Sequence, residues 1–131
     1  MVPEALVIAS ENDGLATLVT EAGNQRWRVE ACPDARSGRE ALSRLNLKLI
    51  LINDEVVSKD ERGWFLEQVR SRTGDAPVVY VASEHSVETE RLARGHGVLY
   101  YTSKPVERER LAHVLRAIMR PQHFQPHYHQ P

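Results

Sequence analysis

Short apolar runs alternate with stretches of helical spacing along most of the chain. Continuous apolar runs lie at residues 6–9, 49–52, 78–82 and 98–101, with a weaker one at 27–31. Uninterrupted runs of four or five apolar residues suit strands covered on both faces, the parallel-sheet situation. Between them Leu15, Leu18, Val19 and Ala22 keep a helical period. So do Ala41, Leu42 and Leu45, then Phe65, Leu66 and Val69, then Leu92 and Ala93, and finally Leu111, Val114, Leu115 and Ile118. Strand and helix alternating in this way predict an α/β fold with a central parallel sheet and helices on both faces. Asn12-Asp13 is placed to cap the first helix, Ser37-Gly38 to precede the second, and Gly63 to open the third. The proline-containing stretch 121–131 is read as a poorly ordered tail on a domain spanning 1–120.

Composition narrows the class. The 131 residues are 41% hydrophobic and 27% charged, as in one globular domain. The formal net charge of −1, from 17 basic against 18 acidic residues, argues against a dedicated nucleic-acid binder. The single Cys32 excludes an internal disulfide and suits a reducing compartment. No segment approaches the roughly 20 apolar residues of a membrane helix, and the N-terminus lacks the basic start of a signal peptide. The expectation is a cytoplasmic protein that does not engage membrane or, directly, nucleic acid.

In an open parallel sheet, ligands bind beyond the carboxyl ends of the strands. The residues there are Ser10 and Glu11, Asn53 and Asp54, Ala82 and Ser83, and Lys104-Pro105. Lys104 is one of only three lysines, with Lys48 and Lys59.

These segments resemble the receiver domain of bacterial two-component response regulators over roughly residues 4–120. The apolar run ending in Ser10-Glu11 resembles that family's strand followed by an acidic pair. Ala35-Arg36-Ser37-Gly38-Arg39-Glu40-Ala41-Leu42 resembles its entry to the second helix. Pro77-Val78-Val79-Tyr80-Val81-Ala82-Ser83 resembles its fourth strand, and Tyr100-Tyr101-Thr102-Ser103-Lys104-Pro105 its aromatic-x-x-Lys-Pro signature. The resemblance implies a flavodoxin-like fold, five parallel strands in the order 2-1-3-4-5 with five helices, and a Lys-Pro bond that is typically cis. It also implies a phosphorelay site. Two acids after the first strand and an acceptor Asp after the third hold Mg²⁺, a hard cation that takes oxygen ligands. The acceptor carboxylate forms an acyl phosphate, whose oxygens are met by a hydroxyl and a lysine. An aromatic on the fifth strand then swings and remodels the surface of the fourth helix, fifth strand and fifth helix.

The chain departs from that pattern. Ser10 replaces one acid, leaving Glu11 as the metal-facing carboxylate, with weak or no affinity expected. Ala82 stands at the hydroxyl position. Lys104 remains at the other phosphoryl-contact position, where it could simply neutralise Glu11. Tyr101 is at the switch-aromatic position and, beside the small Ala82, could be fixed inward. Lys48 followed by four apolar residues puts Asn53 at the acceptor position; the loop to Gly63 is shorter by one if Asp54 is the acceptor instead. An Asn amide accepts hydrogen bonds but forms no acyl phosphate.

Two readings follow. The leading one is a degenerate, pseudo-receiver module, not an enzyme and needing no cofactor. It would bind a protein partner through the face of the fourth helix, fifth strand and fifth helix, with a histidine kinase or a second copy of the chain among the candidates. The alternative is a phospho-accepting receiver using Asp54 and Mg²⁺. A flavodoxin-like small-ligand domain is disfavoured, because Ser10-Glu11-Asn12-Asp13-Gly14 is acidic with one glycine. His123, His127 and His129 form a metal candidate without a scaffold. Arg108, Arg110, Arg116 and Arg120 could attract an acidic partner or form a solvated face with Glu107 and Glu109.

Overall fold

The computed structural model describes residues 2–44 and 46–121. Leu45 and the three tail histidines therefore lie outside the described residues. Five strands, β1 (Glu4–Ile8), β2 (Arg28–Cys32), β3 (Leu47–Asn53), β4 (Val78–Ala82) and β5 (Tyr100–Ser103), pair in parallel in the order β2-β1-β3-β4-β5. The helices α1 (Leu15–Gly23), α2 (Ala35–Ala41), α3 (Arg62–Thr73), α4 (Val87–Gly95) and α5 (Arg108–Met119) cover both faces. This is the flavodoxin-like order that the resemblance implied. No helix among the described residues is long and apolar enough to cross a membrane.

Alternation along the strands builds two cores. Ala5, Val7, Leu49, Leu51, Val79 and Val81 pack beneath α1 and α5, against Leu15, Val19, Leu111 and Leu115. Leu6, Ile8, Ile50, Ile52, Val78 and Tyr80 pack on the other face, against Leu42, Phe65, Leu66, Val69 and Ala93. The central strands carry no solvent face, which is why their sequences read as unbroken apolar runs.

Three local expectations are corrected. β5 begins at Tyr100, two residues later than the apolar run suggested. It is one of the two edge strands, Leu99 is 58% exposed, and pairing with β4 extends through the polar Thr102 and Ser103. α2 starts at Ala35, not after Ser37-Gly38; Asp34 is its N-cap, with Oδ1 accepting from the Ser37 amide at 2.8 Å. That contact also holds the Asp34 carboxyl below its ordinary range. Gly38 lies inside the helix, and the position admits only glycine because a Cβ there would stand 2.7 Å from the Ile8 side chain. At α1 the cap residue is Gly14, in the left-handed region at φ 77°, while the Asp13 carboxylate accepts from the Leu15 amide at 3.0 Å.

Candidate functional site

The parity that builds the two cores also separates Asn53 from Asp54. Asn53 is the last residue of β3, paired with Val81 and continuing the Leu49–Leu51 face beneath α1. Its Nδ2 donates to Asp13 Oδ2 at 2.7 Å, and its Oδ1 accepts from the Glu55 amide at 3.0 Å. The residue has no exposed surface, and both ends of the amide are satisfied.

Asp54 opens a short 3₁₀ turn (Asp54–Val56) on the opposite side and is also fully buried. Its Oδ2 accepts from the Tyr80 hydroxyl at 2.7 Å and lies 3.3 Å from Arg62 Nη1. Its Oδ1 accepts from the Ser83 amide at 2.8 Å. Arg62, at the start of α3, also donates to the Asp54 and Val57 carbonyls, so its guanidinium is fixed. Such a multiply bonded arginine meets a buried carboxylate better than a lysine would. The surrounding space, lined by Ile52, Phe65, Leu66 and Tyr80 among others, is too small for a water molecule. Burial, followed by the hydrogen bond to Asp54, pushes the Tyr80 phenol well above its ordinary range.

Tyr80 carries this arrangement toward β5. Its ring stacks on Tyr101, centroids 5.9 Å apart and 15° from parallel. The Tyr101 hydroxyl meets His85 Nδ1 at 3.1 Å, and Arg94 of α4 lies over the ring. Tyr101 is half-buried, its phenol raised by burial first and by Glu90 second.

Lys104 follows β5, its backbone amide donating to the Ala82 carbonyl and its bond to Pro105 cis. Its Nζ reaches Glu55 Oε1 at 2.8 Å, which corrects the expected pairing with Glu11. A flexible ammonium takes whichever acid its neighbours present, and the turn after β3 presents Glu55. The lysine's hydrogen bond and charge hold the Glu55 carboxyl below its ordinary range. Glu11 is exposed at the end of β1, with Ser10 half-buried beside it. Ala82 is fully buried and offers a methyl where a hydroxyl was wanted; Ser83 instead gives its amide to Asp54.

The fold and its topology match known structures. A CheY-like response regulator receiver domain protein from Methanospirillum hungatei JF-1 has a TM-score of 0.75 at 17% identity, covering 91% of this chain and 94% of that one. The signal receiver domain of an HD domain-containing protein from Pseudomonas fluorescens Pf-5 gives 0.74 at 17% identity, over 91% and 95%. The fold is that of a response-regulator receiver domain. The non-phosphorylated HemR receiver domain from Leptospira biflexa adds 0.72 at 20% identity, over 96% and 99%. No protein-family model and no curated protein sequence matches the chain.

A receiver fold raises the question of Mg²⁺, and the donors here do not fit it. Ser10 and Glu11 bring one carboxylate between them. Asn53 brings an amide whose oxygen is already bonded, and both Asp13 oxygens are engaged. No group of three His, Cys, Asp or Glu side chains among the described residues could share an ion. Four members of the site escaped the sequence reading: Asp13 as partner of Asn53, Glu55 as partner of Lys104, and Arg62 and Tyr80 as partners of Asp54. Only Tyr80 carried a signal, a hydroxyl inside a buried apolar strand that needs a hydrogen-bond partner.

Proposed function

We propose that this chain is a receiver-fold interaction module of cytoplasmic two-component signalling that works by protein contact and not by phosphoryl transfer. One observation carries the reading. At the end of β3 the last residue, on the Asp13 side, is an amide, and the carboxylate that follows it is buried among Tyr80, Ser83 and Arg62. An acyl phosphate of the receiver kind needs a carboxylate oxygen that a donor in solution can reach. Asn53 has no such oxygen, and Asp54 has no exposed surface.

The rest of the site agrees. Ala82 has no hydroxyl to read a phosphoryl group, and the Tyr80–Tyr101 stack holds the switch aromatic without one. The fold alone assigns no activity, so the proposal rests on these side chains. Asn53 is thus assigned the acceptor position, Lys104 and Ala82 the contact positions, and Tyr101 a fixed place on the partner face of α4, β5 and α5. A histidine kinase is the partner class first in line. The proposal is tested by NMR titration with beryllium fluoride and Mg²⁺, which mimic a phosphoryl group on a receiver. The expected result is no movement of amide signals over residues 82–105. Saturable shifts across α4 and β5 would establish the phospho-accepting alternative.

A further inference from the structure

The opposite end of the sheet, away from Asn53 and Lys104, carries two adjoining grooves of about 550 and 580 Å³ that share Arg26, Met119, Arg120 and Pro121. Their floor is apolar. Trp27 and Ile118 are half-buried there and Met119 is buried, and the indole is fixed because Trp27 Nε1 donates to the Met119 carbonyl at 3.0 Å. Their rim is cationic: Arg26, Lys48, Arg116 and Arg120 are all exposed, and none forms an ion pair among the described residues. The acidic side chain lining either groove is Glu21. Elsewhere Arg36, Arg44, Arg62, Arg94 and Arg110 are each matched to a carboxylate, whereas Arg28, Arg39, Lys59, Arg70, Arg72, Arg91 and Arg108 form no ion pair among the described residues either. What sets the two adjoining grooves apart is four cations against the single carboxylate of Glu21 beside an apolar floor.

We propose that these grooves form a second docking surface, built on the α1–β2 turn and the C-terminal end of α5, and that its occupant is an acidic amphipathic segment of a partner protein. The segment's apolar side chains would lie on Trp27, Ile118 and Met119, and its carboxylates would meet the rim arginines, which bind carboxylates in bidentate fashion. Charge complementarity selects this occupant. Residues 122–131 contain no Asp or Glu, so the chain's own continuation does not supply the matching side chains. A nucleic acid would match the rim but leave the apolar floor unused.

The test uses the full chain and a short fluorescein-labelled peptide alternating Glu with Leu, followed by anisotropy. The expected result is saturable binding that weakens as salt rises, at least about tenfold tighter than for the corresponding Lys-Leu peptide. The triple variant Arg26→Glu, Arg116→Glu, Arg120→Glu should lose about tenfold or more while keeping the wild-type circular dichroism and melting temperature. Equal binding of the two peptides, or full retention in the triple variant, would overturn the proposal. So would two competing occupants. Replacing Phe124 and Tyr128 by Ser would raise peptide affinity if the chain's own tail filled the groove. A single-stranded oligonucleotide would displace the peptide at lower concentration than a Glu-Leu competitor if the groove were built for nucleic acid.

Discussion

Asn53 and Asp54 are neighbours, both without exposed surface, and the strand's alternation sends them to opposite sides of the sheet. On one side an amide bridges Asp13 and the Glu55 backbone, both near in the fold's loop edge. On the other a carboxylate gathers Tyr80 from β4, Ser83 from the following loop and Arg62 from α3. The first side ends in an amide whose two ends are held by groups of the neighbouring loops. The second ends in a carboxylate that is buried and held by three partners from other elements. A carboxylate's identity thus says little about its role until its face and its donors are known.

The largest expected effect comes from removing the structural carboxylate. Asp54→Ala leaves Arg62 and the Tyr80 hydroxyl facing an empty, water-excluding space. Losing one partner of a buried ion pair costs about 3–5 kcal/mol. Urea unfolding followed by circular dichroism measures it, and a loss under about 1 kcal/mol would show that Asp54 is not the anchor described. Tyr80→Phe, which keeps the stack on Tyr101 and deletes one donor to the carboxylate, should cost about 2 kcal/mol in the same assay.

Asn53→Asp probes the other side. It replaces the 2.7 Å hydrogen bond to Asp13 with two facing carboxylates. A loss of about 1–2 kcal/mol is expected. Millimolar Mg²⁺ should recover much of it in the variant while leaving the wild-type melting temperature unmoved. An equal Mg²⁺ response in both proteins would contradict the fit argument.

The smallest effect belongs to Lys104 and Glu55, which meet at the surface. The folded Glu55 carboxyl titrates below its ordinary range, so its contribution is present above the unfolded value near 4.5 and fades as pH falls through the folded one. In Lys104→Met, the Glu55 carboxyl followed by NMR should titrate at higher pH than in wild type, with little change in melting temperature. An unchanged titration would mean that the pair does not persist in solution.

The fold was legible because two-sided burial writes itself as continuous apolar runs, and the three central strands, β1, β3 and β4, carry them. β5 was misplaced because an edge strand needs no such run: Leu99 is exposed while Thr102 and Ser103 pair. The start of α2 was misread because Ser37-Gly38 looks like a cap, whereas Gly38 answers to Ile8, a contact from another element. At the site, the separate faces of Asn53 and Asp54 followed from strand periodicity. The partners of Asp54 did not, since Tyr80, Ser83 and Arg62 converge only through the sheet order and the 3₁₀ turn. Nor could the sequence choose between Glu11 and Glu55 for Lys104, since both acids lie near the same sheet edge.

The central claim is that neither Asn53 nor Asp54 accepts a phosphoryl group. Incubation with acetyl phosphate and Mg²⁺, followed by intact-protein mass spectrometry, tests it most directly. The account predicts one species at the unmodified mass under conditions that label a control receiver. A hydroxylamine-sensitive adduct of one phosphoryl group, absent from Asp54→Asn, would contradict it and make Asp54 the acceptor.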